Sequence, residues 1–398
     1  MVVEATLLQD YSKHKLLEYA DSFRELADSF LEDNCVKETS EDAEMTSQEE
    51  RQIMIWNRQL SEQRSVFAGQ LREVSQMIET VAKENCRIEY LEEKKYRQIV
   101  KELRSEGIQI NSLIFVQADD SHRICSASMR STRRGVISTE DVAGYLSVLL
   151  NIRLIPWKNS SYYIGVTDEL YLFYEEPAYH VLTGVAKATK ETEKISGDNY
   201  EIFEYGEGCT AVLLSDGMGS GEQAYKSSSM VLDLMQRFLD TGFSPRASVQ
   251  MINGALLTGC ELSGSSTLDC CSIDLYQGIC RLCKVGAAPS FLKRDNMVEQ
   301  ISSHNLPLGL MGTPEMEYQE RKLEDGDYII LLSDGIYDAM NRGLGEGALS
   351  EIISRLQTKN PNELANDILR FVLQQCRGQV KDDMTVLVTG IWERSRRE

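Results

Sequence analysis

The sequence has little positive charge. Its 42 Lys and Arg are outnumbered by 62 Asp and Glu, which gives a formal net charge of −20 at pH 7. A chain this negative repels nucleic-acid phosphates and anionic lipids, so the composition argues against DNA, RNA and membrane surfaces as ligands. A protein or a metal ion is the better expectation for its partner.

Long apolar runs are also missing. No stretch approaches the roughly 20 apolar residues that cross a bilayer, and the start, MVVEATLLQDYSKHK, lacks the basic-then-apolar order of a signal peptide. We therefore expect a cytoplasmic chain. In that compartment its 10 Cys should be reduced, and their positions in segments such as CTAVLL and LDCCSIDL are typical of core residues.

One cysteine pair has a spacing that can hold zinc, because Cys280 and Cys283 form a C-x-x-C near Cys270 and Cys271. The surrounding residues alternate like β-strands, and positions three apart in a strand point to opposite faces. We therefore predict that these cysteines lie in the core and do not bind zinc.

The length of 398 residues, 42% of them hydrophobic, is enough for two or three domains. We predict a helical regulatory or dimerisation segment over residues 1–106, a small α/β regulatory region over 107–182 and a further domain over 183–398. In the middle region, INSLIFVQA, RICSASMR and YYIGVTDELYLFYEE are typical of strands, and the residues after Ser138 are typical of a capped helix.

The N-terminal segment has coiled-coil spacing, because an apolar residue recurs every seven positions at Ile53, Leu60, Phe67, Val74, Val81 and Ile88. Ser47 and Glu50 form a capping box, which predicts a long helix beginning near Gln48. Asn57 and Arg64 interrupt the seam. The helices could form a bundle packed on their own domain, or a stalk that dimerises and relays a signal. We favour the stalk, since polar seam residues often fix register.

Two apolar strands end in Ser-Asp-Gly, LLSDGMGSGEQA at Asp216 and YIILLSDG at Asp334. SGDN places Asp198 in a turn, and KDDM places Asp382 and Asp383 directly before another strand. A buried strand that ends in a carboxylate is a rigid mount, and several mounts that converge make an all-oxygen site for Mg²⁺ or Mn²⁺. Each Asp-Gly alone is a common turn, but the repetition favours the metal site.

The glycines of GMGSGE follow a strand and precede a helix, which is also the context of a nucleotide-binding turn. The third glycine of G-x-G-x-x-G would fall at Glu222, and Asp216 would place negative charge where a phosphate should lie. A dinucleotide site is therefore the weaker interpretation.

Seven motifs follow one another between Thr183 and Gly390: SGDN, SDGMGSGEQA, STLD, KVGAAPSFLKR, LPLGLM, LEDGDYIILLSDG and KDDMTVLV. In this order they resemble the PP2C-type metal-dependent serine phosphatases, and within them the phosphatases of sporulation. The resemblance implies an α+β fold: a PP2C-like α/β/β/α sandwich of two antiparallel sheets, with two Mn²⁺ or Mg²⁺ ions at one edge. It also makes residues 183–398 the phosphatase domain.

The resemblance implies a role for each acidic position. Asp216 would bridge the two ions, helped by the Gly217 carbonyl at the second ion, and Asp198 would hold that second ion directly or through water. Asp334 and the pair Asp382/Asp383 would hold the first ion. Of that pair the alignment of KDDMT favours Asp382, and Asp383 stays open as either a ligand or a turn residue behind it.

Asp216 and Asp334 are accordingly the predicted catalytic residues. Two ions about 4 Å apart can lower the pKa of a shared water and direct it at a phosphoserine phosphorus, so no protein nucleophile is needed. The sequence agrees, since its four His lie away from the Ser-Asp-Gly segments and it has no Cys-x₅-Arg loop. It departs from animal members of the family in having no clear arginine counterpart near Asp198 to hold the phosphate.

The implied substrate is a phosphorylated anti-anti-sigma factor, whose dephosphorylation frees a sporulation sigma factor. The implied assembly is a homodimer through the N-terminal helices. Full-length relatives are membrane-anchored at the division septum, and this chain shows no such anchor. The alternative is a catalytically silent module that keeps the sandwich and binds phosphoprotein.

Overall fold

The computed structural model describes residues 2–32, 64–82 and 87–394, apart from 66, 81, 118–122, 133–135, 158–159, 207, 220, 258–263, 311–313, 315 and 346. The chain divides into two compact units, one of Met1–Ala82 with Tyr179–Glu398 and one of Lys83–Ala178. No helix among the described residues is both long and apolar enough to cross a membrane.

The described N-terminal residues form two helices, α1 (Val2–Glu32) and α2 (67–80). They pack together, and Ser75 Oγ donates a hydrogen bond to the Ala20 carbonyl at 2.6 Å. The predicted helix start and the interrupting Asn57 lie outside the described residues.

The unit over Lys83–Ala178 is a five-stranded antiparallel sheet of order β1-β2-β3-β5-β4 with two helices. Its elements are β1 (Arg87–Tyr90), α3 (Glu93–Ser105), β2 (Ile108–Gln117), β3 (Arg123–Ser131), α4 (Thr139–Leu150), β4 (Leu154–Pro156) and β5 (Glu169–Glu175). The capped helix after Ser138 is confirmed, because Ser138 Oγ accepts from the Asp141 N–H at 3.0 Å.

This unit begins earlier than the predicted boundary at residue 107. The reason is that β1 pairs with β2 and α3 packs against the same sheet through Ile99 and Leu103. The heptad position Ile88 therefore lies in a strand, and its place in the helical seam was predicted wrongly.

The larger unit carries two five-stranded sheets of order β13-β10-β9-β8-β7 and β12-β11-β14-β15-β6. The strands of the first sheet are β7 (Asp198–Tyr205), β8 (Cys209–Asp216), β9 (Leu268–Asp274), β10 (Ile279–Val285) and β13 (Glu317–Lys322). Those of the second are β6 (Tyr179–Ala188), β11 (Ser290–Arg294), β12 (Met297–Ile301), β14 (Tyr328–Leu332) and β15 (Met384–Glu393). Adjacent strands are antiparallel throughout.

Helices cover the outer face of each sheet. They are α5 (Gly221–Asp240) and α6 (Pro245–Leu257) on the first sheet, and α7 (Asp334–Leu344), α8 (Ala348–Arg355) and α9 (Pro361–Gln375) on the second. β14 reads YIILL without a polar residue because both its faces are buried. Ile330 and Leu332 pack under the helices, while Ile329 and Leu331 pack between the sheets. The predicted sandwich is confirmed.

The same alternation of side chains between the two faces of a strand sets the positions of Cys280 and Cys283. Cys280 lies in the core between the sheets and Cys283 in the core under α5 and α6, so the two thiols point to opposite faces of β10, as predicted. The Sγ of Cys280 instead lies 3.3 Å from that of Cys271 on the neighbouring strand.

Candidate functional site

The acidic site begins where two neighbouring strands of the first sheet come together. Asp198 is the first residue of β7 and Asp216 the last of β8, and the register places them directly opposite each other. The sequence motif SGDN predicted a turn at Asp198, whereas Asp198 is the first residue of a strand. Adjacent residues of an antiparallel pair lie within about 5.5 Å at Cα, so the sheet itself holds these two carboxylates side by side.

The Asp198 carboxyl group is buried, with 1% of the residue exposed. Its Oδ2 accepts from Thr385 Oγ1 at 2.6 Å, which ties β7 to β15 of the second sheet. No hydrogen-bond donor among the described residues reaches its Oδ1. A buried oxygen without a donor is costly, and a cation is one partner that removes the cost.

Asp216 is held through its backbone. Its N–H donates to Thr267 Oγ1 at 2.9 Å, and its carbonyl accepts from the Thr267 N–H and the Ser266 hydroxyl at 2.8 Å each. The STLD motif therefore positions the LLSDG motif. Gly217 is required because a Cβ there would lie 2.0 Å from the Ala224 carbonyl oxygen on α5.

The second sheet supplies the other carboxylates. β14 ends at Leu332, and Asp334 is the first residue of α7, where the helix dipole favours a negative charge. Gly335 brings this helix against the turn before β15, since a Cβ on it would lie 2.1 Å from the Asp383 carbonyl oxygen. The close approach sets the start of α7 beside the Asp382 side chain.

The structure separates Asp382 from Asp383, although they are neighbours in sequence. Asp383 is buried, and its two oxygens accept from the N–H groups of Lys190 at 2.9 Å and Gly197 at 2.7 Å. Both oxygens are thus used to hold the loop that leads into Asp198. Asp382 is exposed, and its Oδ1 accepts only a bond from the Asp383 N–H at 3.0 Å among the described residues.

The carboxylates act on each other electrostatically. Burial raises the pKa of Asp216 to about 8, helped by the surrounding charges of Asp198, Asp334, Asp382 and Asp383. Four other carboxylates therefore lie close enough to Asp216 to act on its charge, in addition to the effect of burial. Asp216 is therefore the centre of the group.

Two neighbours of Asp216 also have raised pKa values, chiefly because they are buried. Burial raises the pKa of Asp198 to about 6, opposed by the hydroxyls of Thr385 and Ser333. Partial burial and then the charge of Asp382 raise the pKa of Asp334. Cations would relieve this repulsion, so both shifts fit a metal site.

The donor set suits hard cations. It consists of carboxylate and backbone carbonyl oxygens, which Mg²⁺ and Mn²⁺ prefer. Within the described ranges no three His, Cys, Asp or Glu side chains close on a single point as a finished cage. Mg²⁺ is usually held by one or two carboxylates and keeps several waters, so an open arrangement around Asp216 is compatible with it.

This chain is similar in sequence to known sporulation proteins. Residues 206–391 match the sequence family described as Stage II sporulation protein E. The chain is 30% identical to stage II sporulation protein E of Priestia megaterium, over 83% of this chain and 57% of that protein. It is 28% identical to stage II sporulation protein E of Bacillus subtilis, over 84% of this chain and 40% of that protein.

A solved structure of the PP2C phosphatase domain and a fragment of the regulatory domain of SpoIIE from Bacillus subtilis is also similar. The similarity extends over 88% of this chain and 100% of the solved chain, with 26% sequence identity and a TM-score of 0.61. In sequence and in fold, this chain is therefore similar to the PP2C phosphatase domain of stage II sporulation protein E. It spans less than two thirds of the length of both curated relatives.

Phosphatases of the PP2C type depend on metal ions. The structure of this chain adds two positioning residues that the sequence did not reveal. The structure brings together the predicted acidic positions Asp198, Asp216, Asp334 and Asp382, with Gly217 beside them. The positioning roles of Thr385 and Thr267 were missed, although both lie in motifs that had been recognised, KDDMT and STLD. Their hydroxyls act across strands, and a linear motif does not show which strands are neighbours.

Proposed function

We propose that this chain is a Mn²⁺- or Mg²⁺-dependent protein serine phosphatase. The observation that carries the proposal is the pairing of Asp198 and Asp216 at one sheet edge, where one Asp198 oxygen has no donor among the described residues. Burial, and then the charges of the neighbouring aspartates, raise the pKa of the Asp216 carboxyl group to about 8. Such crowding destabilises the fold unless cations neutralise it, and hard cations at an all-oxygen site are suited to phosphoryl transfer.

In this proposal Asp198, Asp216, Asp334 and Asp382, with the Gly217 carbonyl, hold two divalent ions. When bound, the ions would supply a water of lowered pKa and neutralise the charge of the phosphate. Asp383 is assigned a positioning role, because both its oxygens are engaged by the Lys190 and Gly197 N–H groups.

The residues of the chain orient and support the site. The Thr385 hydroxyl fixes one oxygen of Asp198, and no donor in the described part of the chain reaches the other. Asp383 holds Gly197, the residue before Asp198, so that the loop cannot carry Asp198 away from Asp216. Since a displacement of about 1 Å can spoil a catalytic geometry, this support contributes to the rate.

For the substrate we propose a phosphorylated anti-anti-sigma factor, so that its dephosphorylation activates a sigma factor in sporulation. The similarity to stage II sporulation protein E over most of this chain supports the assignment. We also propose a homodimer through the N-terminal helices, and sedimentation of the whole chain tests that part separately.

The experiment is phosphate release by the whole chain from a phosphoserine-containing anti-anti-sigma factor and from p-nitrophenyl phosphate, with Mn²⁺, with Mg²⁺ and with chelator. We expect release that requires a divalent ion and is lost in Asp216→Asn. No release from either substrate with either ion would overturn the proposal. Binding of the phosphoprotein without turnover would instead favour a catalytically silent module.

A further inference from the structure

A cavity of about 260 Å³ adjoins the acidic cluster on the side of the second sheet. It lies between α7, the end of α9 and the segment that leads into Asp382, and Asp382 is part of its wall. Three cations line it: Arg342, Arg377 and Lys381. Two carboxylates, Asp338 and Asp382, line it as well, so the lining has one more cation than anions in a chain of net charge −20.

The cations are available to a ligand. Arg342 pairs with Asp338, but this pair is exposed, with 70% and 54% of the two side chains accessible. Among the residues that the structure describes, Arg377 and Lys381 have no carboxylate within ion-pairing distance. Exposed ion pairs contribute little to stability, so even Arg342 can exchange its partner for a ligand at little cost.

The backbone at Arg377 is unusual. Arg377, which follows the C-cap residue Cys376 of α9, has a φ of 54°, and the Gly378 N–H donates to the Leu373 carbonyl at 2.8 Å. Glycine, and less often asparagine, is the usual residue at such a helix end, because a side chain there costs about 1 kcal/mol. An arginine at this position costs stability and directs a guanidinium to the cavity wall.

We propose that this cavity binds an acidic side chain of the substrate protein close to its phosphoserine. Arg377 and Lys381 are the recognition residues, and Arg342 contributes from α7. The proposal rests on the proposed phosphatase function, to which it adds a preference for substrate sequence. The proposal also explains how a protein of net charge −20 could bind an acidic substrate, because cations near the site would offset the repulsion between the two.

The test compares two phosphoserine peptides that differ only in the residues flanking the phosphoserine, Asp and Glu in one and Asn and Gln in the other. The measured quantity is the ratio of their kcat/KM values with Mn²⁺. We expect the whole chain to prefer the acidic peptide by about fivefold at low salt, corresponding to about 1 kcal/mol, and less at high salt. The double variant Arg377→Asn, Lys381→Gln should bring the ratio close to one.

Asparagine is chosen at position 377 because it tolerates a positive φ, so the helix end should keep its shape. The matched control is Arg370→Gln on the same helix, whose side chain is 68% exposed and lies outside the cavity lining. This control should retain the full preference. A wild-type ratio near one, or a ratio unchanged in the double variant, would overturn the proposal.

Failure of the phosphatase function is recognised separately. If no peptide is hydrolysed, the same peptides are titrated against the whole chain by fluorescence anisotropy, and the ratio of Kd values decides by the same criterion. Inorganic phosphate is titrated in parallel. If phosphate binding depends on Arg377 and Lys381 while the two peptides bind equally, the cavity is a phosphate site and the proposal is wrong.

Discussion

The two Ser-Asp-Gly segments have the same letters and different structures. In the first, Asp216 ends a strand and Gly217 lies against the Ala224 carbonyl of α5. In the second, Asp334 begins α7 and Gly335 lies against the Asp383 carbonyl. The shared letters therefore do not give the two segments the same local structure. Each sheet contributes a carboxylate to the acidic site, and the glycine after each carboxylate allows a close contact with a different backbone carbonyl.

The largest expected effect is loss of one of these carboxylates. Asp216→Ala and Asp334→Ala should each lower Mn²⁺-dependent turnover by more than about a hundredfold, because each removes a proposed metal ligand. Circular dichroism should show an intact fold. Asp233→Ala, which removes an exposed carboxylate from α5, is the control and should keep its activity. Near-normal turnover of either site variant would contradict the assignment.

The next effect concerns the two glycines. Gly217→Ala and Gly335→Ala should each lower the free energy of unfolding by about 1–3 kcal/mol, since the new Cβ would overlap a carbonyl oxygen. Gly217→Ala should also weaken Mn²⁺ binding, because the strain falls on the residue after Asp216. Gly144→Ala, in α4 with open space at its Cβ, should be neutral or stabilising in urea unfolding. Equal stability of all three variants would argue against both close approaches.

A smaller difference is expected between the adjacent aspartates. Asp382→Asn should lose metal-dependent turnover with little change in stability, because its side chain is exposed. Asp383→Asn should lower the free energy of unfolding by about 1–3 kcal/mol and reduce turnover only in part, since it disturbs one of two buried hydrogen bonds. Thermal unfolding and kinetics of both variants check this. If Asp383→Asn instead abolished turnover and Asp382→Asn instead lowered stability, Asp383 would be the metal ligand and Asp382 the positioning residue.

The smallest expected effect is the pH dependence of the metal-free protein. The raised pKa of Asp216, about 8, means that the folded state binds this proton more tightly than the unfolded state does. Stability should therefore fall as the pH rises from about 4 to 8, and Asp216→Asn should reduce that fall. Urea unfolding in chelator measures it. A wild-type slope equal to that of the variant would show that Asp216 is not in a crowded site.

Much of the phosphatase domain could be predicted from the sequence. Strands buried on both faces, such as YIILL and CTAVLL, carry no charge, so the acidic residue that ends each of them stands out. Motif order then identified the sandwich. The roles of Asp382 and Asp383 could not be separated, because the difference depends on N–H groups far away in sequence at Lys190 and Gly197.

The N-terminal segment was harder to predict for a related reason. A seven-residue spacing was followed as far as Ile88, but that residue pairs with Val116 in a sheet. Within the larger unit, α2 instead contacts the region of α6, where Gln70 Nε2 donates to the Met251 carbonyl at 3.4 Å. The seven-residue spacing alone does not show where the helix ends and the strand begins. The secondary structure at Ile88 is set by its pairing with β2, which the spacing does not contain.

The most direct test of the metal site is calorimetric titration of Mn²⁺ into the whole chain and into Asp216→Asn. We expect two Mn²⁺ ions per wild-type chain and a large loss of Mn²⁺ affinity in the variant, because the carboxylate proposed to hold both ions has lost its charge. Identical stoichiometry and affinity in the two proteins would contradict it.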